Sequence, residues 1–255
     1  MPSPLYAVLE RLFDDASLFP PASRTMAEAL RAYADVAAGP HRRVAGPFLC
    51  PASRLPELAA CVAGGVPAPE AIGVVGYDGS TGWRQVFTTP GLVHVETPAD
   101  ARVPLAPGRV RRYVEVGPQD DLARALDAIA ETGHRVKVRA SGPTRYAVPT
   151  SEWLAAVLVG CERRKLVLKA AGDLHRPFRE SGDAGHHHGF VNLLAAAAAT
   201  RSGAPPLAVA AVLSAEGADA EALVDRVGGC RELVASVTVR SVDDPVRELT
   251  ARGLL

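Results

Sequence analysis

Arg112-Tyr113-Val114-Glu115-Val116, Arg135-Val136-Lys137-Val138-Arg139 and Leu166-Val167-Leu168-Lys169 are three short runs in which an aliphatic residue returns at every second position. That period belongs to a β-strand, whose successive side chains point to opposite faces. Between the first two runs, Asp120 to Thr132 carries Leu122, Leu126, Ile129 and Ala130 at helical spacing and ends at Gly133. Between the second and third, Thr150-Ser151-Glu152-Trp153 opens a helix that Thr150 or Ser151 can cap and that reaches about Cys161. Strands alternating with helices are the pattern of a parallel sheet.

The same alternation extends in both directions. Toward the amino terminus lie a run at Leu12 to Ala16 with a helix from about Thr25 to Ala38, and a run at Val44 to Cys50 with a helix opening at Ser53-Arg54-Leu55-Pro56. Ile72 to Val75 and Leu92 to Glu96 are further runs with no long helix after either. Toward the carboxyl terminus, an Ala-rich helix follows His186, and Val234 to Val239 is closed by a helix over Asp244 to Arg252. Eight strands in 255 residues predict one (β/α)8 barrel of the TIM type spanning 1–255, with some helices degenerate. An open doubly wound sheet is the competing arrangement, and Pro206 to Leu213 reads equally as strand or helix.

In a barrel, the residues between the helix-facing ones point inward. Val114, Val116, Val136, Val138, Leu166 and Leu168 then face the helices, while Glu115, Lys137, Arg139 and Lys169 face in, joined by His94 and Glu96 from the fourth run. Two acids and three bases would share one enclosed volume near the carboxyl ends of the strands, where barrel enzymes keep their chemistry. Burying unpaired charge costs several kcal/mol, so either the layer neutralises itself and fills the barrel, or it works. Beside Lys137 and Arg139, Lys169 should lose its proton more easily, because burial and like charge both disfavour the ammonium. A neutral amine attacks a carbonyl to form a Schiff base; a charged one stabilises an enolate. In either version Glu115 or Glu96 moves protons and Arg139 holds an anionic group of the substrate.

Val136-Lys137-Val138-Arg139-Ala140-Ser141-Gly142 and Val167-Leu168-Lys169-Ala170-Ala171-Gly172 resemble the paired lysine strands of class I aldolases. The resemblance implies Lys137 as nucleophile and Lys169 as its perturber. Asp14-Asp15-Ala16-Ser17-Leu18-Phe19-Pro20-Pro21, Lys169-Ala170-Ala171-Gly172-Asp173-Leu174-His175-Arg176-Pro177 and His188-Gly189-Phe190-Val191-Asn192-Leu193-Leu194 are similar to recurring segments of an uncharacterised bacterial family, in which Arg176 stands where a second histidine is expected. That similarity points to those segments and names no reaction.

His175, His186, His187 and His188 follow the seventh run, and with Asp14 or Asp15 they could hold a divalent metal, although HxxxH and HExxH spacings are missing. That would make a metal-dependent hydrolase or isomerase; otherwise no cofactor is implied. Without a metal, His188 and Asn192, four apart on one helical face, contact substrate together with Arg176, and His175 carries protons. A solvated histidine run is the plain alternative. Asp14 and Asp15 either face the site, Asp15 as a substrate ligand, or cap the turn before Pro20, and the long loop from Gly172 to Gly185 reads as a lid. A barrel that binds a ligand without catalysis remains a third reading.

Lys plus Arg and Asp plus Glu balance at 28 each, so no global field attracts nucleic acid or an anionic membrane. Four scattered cysteines form no CxxC pair, and the amino terminus lacks a signal-peptide pattern, so a cytoplasmic protein acting on a small anionic molecule is expected. No apolar stretch is long enough to span a bilayer.

Overall fold

The structure, a computed structural model, describes residues 4–79, 82–98, 110–140, 148–172, 174–182 and 185–255. Its strands are β1 (Phe13–Asp15), β2 (Ala45–Pro51), β3 (Ile72–Val75), β4 (Leu92–Pro98), β5 (Arg111–Val116), β6 (Arg135–Arg139), β7 (Leu168–Ala171), β8 (Glu180–Gly182), β9 (Gly185–His187) and β10 (Val234–Val239). Eight of them close a barrel in the order β1-β10-β7-β6-β5-β4-β3-β2, with every pair parallel, while β8 and β9 form a separate antiparallel hairpin. Closure excludes the open sheet and removes every edge from the main sheet.

The helices are α1 (Pro4–Val8), α2 (Met26–Ala38), α3 (Leu55–Ala63), α4 (Trp83–Phe87), α5 (Leu122–Glu131), α6 (Ser151–Arg163), α7 (Phe190–Arg201), α8 (Pro206–Ser214), α9 (Gly217–Glu221) and α10 (Asp243–Ala251). Short polar side chains fix where several begin. Thr25 and Glu28 form a reciprocal capping box on α2, Asp121 accepts from the Arg124 amide on α5, and Thr150 accepts from the Trp153 amide on α6. Ser53 does not cap α3: it lies within a 3-10 turn, Ala52–Arg54, that leads into the helix.

Pro206 to Leu213 is helical. Consecutive prolines at its start cannot donate to a ladder but suit the first helical turn, and Val209, Ala210 and Leu213 bury one face at helical spacing. The neighbouring α7 is buried from Phe190 to Ala198 because it lies against the barrel and is covered in turn by α6 and α8. Its alanines allow that close approach, and all-round burial explains why no apolar stripe marks it. Unit three is thin: α4 after β3 has five residues. Among the described residues no helix is long and apolar enough to cross a membrane.

Candidate active site

Inside the barrel the inward-facing side chains form one chain of alternating charge. Lys169 is fully buried, with its Nζ 2.5 Å from Asp14 Oδ2, in contact with Glu96 Oε1, and 3.3 Å from His94 Nε2. Glu96 turns its other oxygen to Lys137 Nζ at 2.7 Å. Lys137 reaches Glu115 Oε2 at 2.9 Å, and Glu115 Oε1 accepts from Arg139 Nε at 3.1 Å. Strand register makes this necessary: Lys137 and Lys169 are direct partners across β6 and β7, so two ammonium groups would stand side by side unless a carboxylate lay between them. Glu96, projecting from β4, supplies one oxygen to each.

Two glycines make room for this layer. A Cβ at Gly73 would stand 2.2 Å from His94 Nε2, and one at Gly46 would stand 2.5 Å from Asp14 Oδ1, so the strands β3 and β2 must carry no side chain there. His94 also packs edge-on against Tyr113, with ring centroids 5.3 Å apart. Burial, then the charge on Lys169, pushes the His94 pKa down, so its ring is neutral.

The electrostatics correct the expectation for Lys169. Burial alone would strip its proton, but Asp14 and Glu96 outweigh burial and hold its pKa above that of an ordinary lysine. It is a fixed cation sealed beneath the cavity floor. Glu96 is its counterpart: burial favours the neutral acid, yet Lys137 and Lys169 together hold the carboxyl well below its usual range. Glu96 is thus a carboxylate held between two ammonium groups. Glu115, a quarter exposed, also has its pKa lowered by Lys137 and Arg139 against the cost of burial, so it is an ionised acceptor near the mouth.

A cavity of about 350 Å³ opens above this layer at the carboxyl ends of the strands, within the size range of small-molecule sites. Glu96, Lys137 and Arg139 line one side, with Thr238 and Arg240 at the end of β10. Phe19, Pro20, Leu49 and Val75 form an apolar wall from the loop after β1 and from β2 and β3. Ala171 and Gly172, at the end of β7, leave the space between the two polar sides open.

Several residues expected at the site stand elsewhere. Asp15 accepts from the Ser17 amide at 3.0 Å and the Ser17 hydroxyl at 2.6 Å, so it caps the turn after β1 while Asp14 faces the barrel. His188 is buried, 2.8 Å from the Pro149 carbonyl oxygen, and Asn192 accepts from the Arg179 amide and donates to the Val212 and Ala215 carbonyls. These two pin the chain around α7 and α8 and do not line the cavity. Arg176 pairs with Glu180, and His175 lies 3.2 Å from Arg240 in a separate surface cleft. The loop expected as a lid is tied down by the β8–β9 hairpin, by Asn192, and by Arg179 and Ser181 on Glu216. Among the described residues no group of His, Cys, Asp and Glu is arranged to hold a metal. The His186 side chain lies outside the described residues, as do Ser141, Gly142, Asp173 and Asp183.

Asp15 carries a testable pH signature. Burial raises its pKa from 3.8 to about 6, against the hydrogen bonds from Ser17. The folded protein therefore keeps a proton there that the unfolded chain has lost. This group's contribution to stability is full below about pH 4, falls as pH rises to about 6, and totals about 3 kcal/mol. In Asp15→Asn that slope is gone. The melting temperature of the variant minus that of the parent should rise between pH 4 and pH 7; a flat difference would refute the buried, raised carboxyl.

Two roles at the site were not assigned from the sequence. Asp14 is the acid that pairs Lys169, and an imbalance of two acids against three inward bases already asked for a third. Ser236, Thr238 and Arg240 alternate with Val237 and Val239, the same two-residue signal that exposed the lysines. Ser236 donates to Asp14 Oδ2 at 2.9 Å.

Compared with family models and with curated proteins, the chain gives no match. Among solved structures it is similar to Rhizobium etli pyruvate carboxylase in a structure with acetyl coenzyme A. The identity is 11% and the TM-score 0.46, over 98% of this chain and 25% of that one. This chain thus spans a quarter of that protein's length.

Proposed function

We propose that this barrel is an enzyme, a lyase or isomerase acting on a small carbonyl compound that bears an anionic group. The observation that carries this reading is the position of Lys137: it is the lysine on the cavity floor, between two carboxylates, whereas Lys169 is sealed below. A carbonyl oxygen placed against Lys137 gains a cation where negative charge develops as an enolate forms. Glu115, ionised and nearer the mouth, takes the proton from the adjacent carbon and returns it. Arginines on both sides of the cavity favour an anionic substrate. The likeness of the β6 and β7 segments to class I aldolases supports the same residue in a covalent version. There Lys137 passes a proton to Glu115, its amine adds to the carbonyl carbon, and loss of water gives the iminium. The ion pairs that Lys137 makes with Glu96 and Glu115 support the enolate-stabilising version.

Borohydride reduction separates these versions. A panel of small oxo acids is screened for consumption or for proton exchange with deuterated solvent, and each active compound is then incubated with protein and borohydride. Enolate stabilisation predicts turnover or exchange without a mass increase on the Lys137 peptide, and the covalent version predicts an adduct there. An adduct confined to Lys169, or no turnover or exchange across the panel, would overturn the assignment.

A further inference from the structure

Surface helices of this barrel carry charge where they meet solvent: α5 exposes Arg124 and Asp127, and α10 exposes Asp243 and Arg247. The helix α8 does not. From Ser202 to Ala215 no side chain is charged, and within α8 Ser214 is the single polar residue. One of its faces, Val209, Ala210 and Leu213, is buried where α8 packs on α6 and α7. The other, with Leu207, Ala208 and Ala211 in one helical stripe, is exposed. Leu207, at 82%, is the one large hydrophobic side chain left open among the described residues. A helix that is apolar all round is ordinarily covered all round, as α7 is in this same chain. The outer face of α8 is therefore half of a contact.

The neighbouring α6 extends this face and gives it direction. Its outward stripe is Glu152, Ala156, half-buried Val159 and Arg163, with an acid at one end, a base at the other and an apolar middle. The two helices run antiparallel. Arg179 ties Ser151, at the start of α6, to Glu216, just past the end of α8, while Arg201, ahead of α8, holds Glu162 at the end of α6. One end of the face is thus acidic, with Glu152, Glu216 and the exposed Asp219, and the other carries Arg163 and Arg201.

From this arrangement we infer that the α6–α8 face is where two copies of this chain pair about a two-fold axis. An axis running across both helices lays α8 on α8 and α6 on α6, each pair antiparallel, which is the isologous contact of a symmetric dimer. Glu152 of each copy then meets Arg163 of the other, and the helix dipoles oppose. Leu207 of one copy enters the shallow ground that Ala208 and Ala211 leave on the other, so the face carries both knob and socket. A membrane surface would ask instead for a basic rim around the apolar stripe, and the acidic end is the reverse of that.

Sedimentation velocity of the full chain, from low to high micromolar concentration, is the experiment. The mass should approach twice that of the chain as concentration rises. Leu207→Glu and Ala211→Glu, both at exposed positions, should keep the parent's circular dichroism and weaken the dimer by about tenfold or more. Glu152→Arg and Arg163→Glu each set like charges opposite one another and should weaken it several-fold, whereas the double variant restores both pairs and should recover the parent's affinity. That recovery is specific to a second copy in this orientation. Should Leu207→Glu fail to fold, Leu207→Gln and Ala211→Glu carry the test. A chain that stays monomeric throughout, a dimer indifferent to the Leu207 and Ala211 variants, or a double charge swap no better than the single ones overturns the inference. So does a monomer that binds vesicles of phosphatidylglycerol and phosphatidylcholine through Leu207.

Discussion

Lys169→Met should be among the most destabilising single substitutions in this chain, costing about 3–5 kcal/mol, the usual loss when one partner of a buried ion pair is removed. For a domain of this size that corresponds to a fall in melting temperature on the order of 10 °C. Methionine fills the space, so the loss is electrostatic: Asp14 and Glu96 are left as buried carboxylates, Asp14 with Ser236 and Glu96 with Lys137 and His94. The sign of the pH dependence follows. In the parent, Glu96 has a depressed pKa, so its contribution is present above the unfolded value near 4.5 and is lost as pH falls below it. In the variant Glu96 has lost the Lys169 charge and its carboxyl is held less far below the usual range, so the deficit relative to the parent should shrink on acidification. Asp14→Asn placed on the same background should recover about half of the loss, because one of the two stranded charges is gone. Thermal or urea unfolding at several pH values measures all three. A single variant within about 1 kcal/mol of the parent would show that no such buried pair exists.

Lys137→Met should do the opposite, leaving the fold nearly intact and removing the chemistry. Glu96 keeps Lys169 and Glu115 keeps Arg139, so no carboxylate is stranded and the cost should stay below about 2 kcal/mol. Turnover of the active oxo acid, or its solvent proton exchange, should fall by about 10²–10⁴-fold, the range for losing a group that stabilises an oxyanion or moves a proton. A Lys137→Met protein that retains full turnover would remove the proposed mechanism. Two lysines in register on adjacent strands thus separate by place: the one beneath the floor holds the layer together, and the one upon it lines the cavity.

How much of this was legible in the sequence differs between the fold and the site. The two-residue period of Tyr113 to Val116, Arg135 to Arg139 and Leu166 to Lys169 carried the inward direction of Glu115, Lys137, Arg139 and Lys169, because a half-charged strand has a single arrangement that keeps its valines and leucines dry. Closure of the barrel was suggested by strand number, and the thin side after β3 by the lack of a long helical pattern there. Asp14 and Asp15 could not be told apart, since a strand of three residues has no period to read. His188 and Asn192 share a helical face in the sequence, but which neighbour that face meets depended on Pro149 and on the α8 carbonyls, remote in the chain.

Taken by itself, the sequence determined the local terms: strand period, helix caps, and which charges leave the helix-facing side. Tertiary structure alone decided what those charges do. Whether a buried lysine gives up its proton depends on the sum of burial and its nearest carboxylates, and Lys169 draws those from strands 155 and 73 residues away, Asp14 on β1 and Glu96 on β4. Desolvation can be guessed from one strand; the field that opposes it is made by the strands that close the barrel.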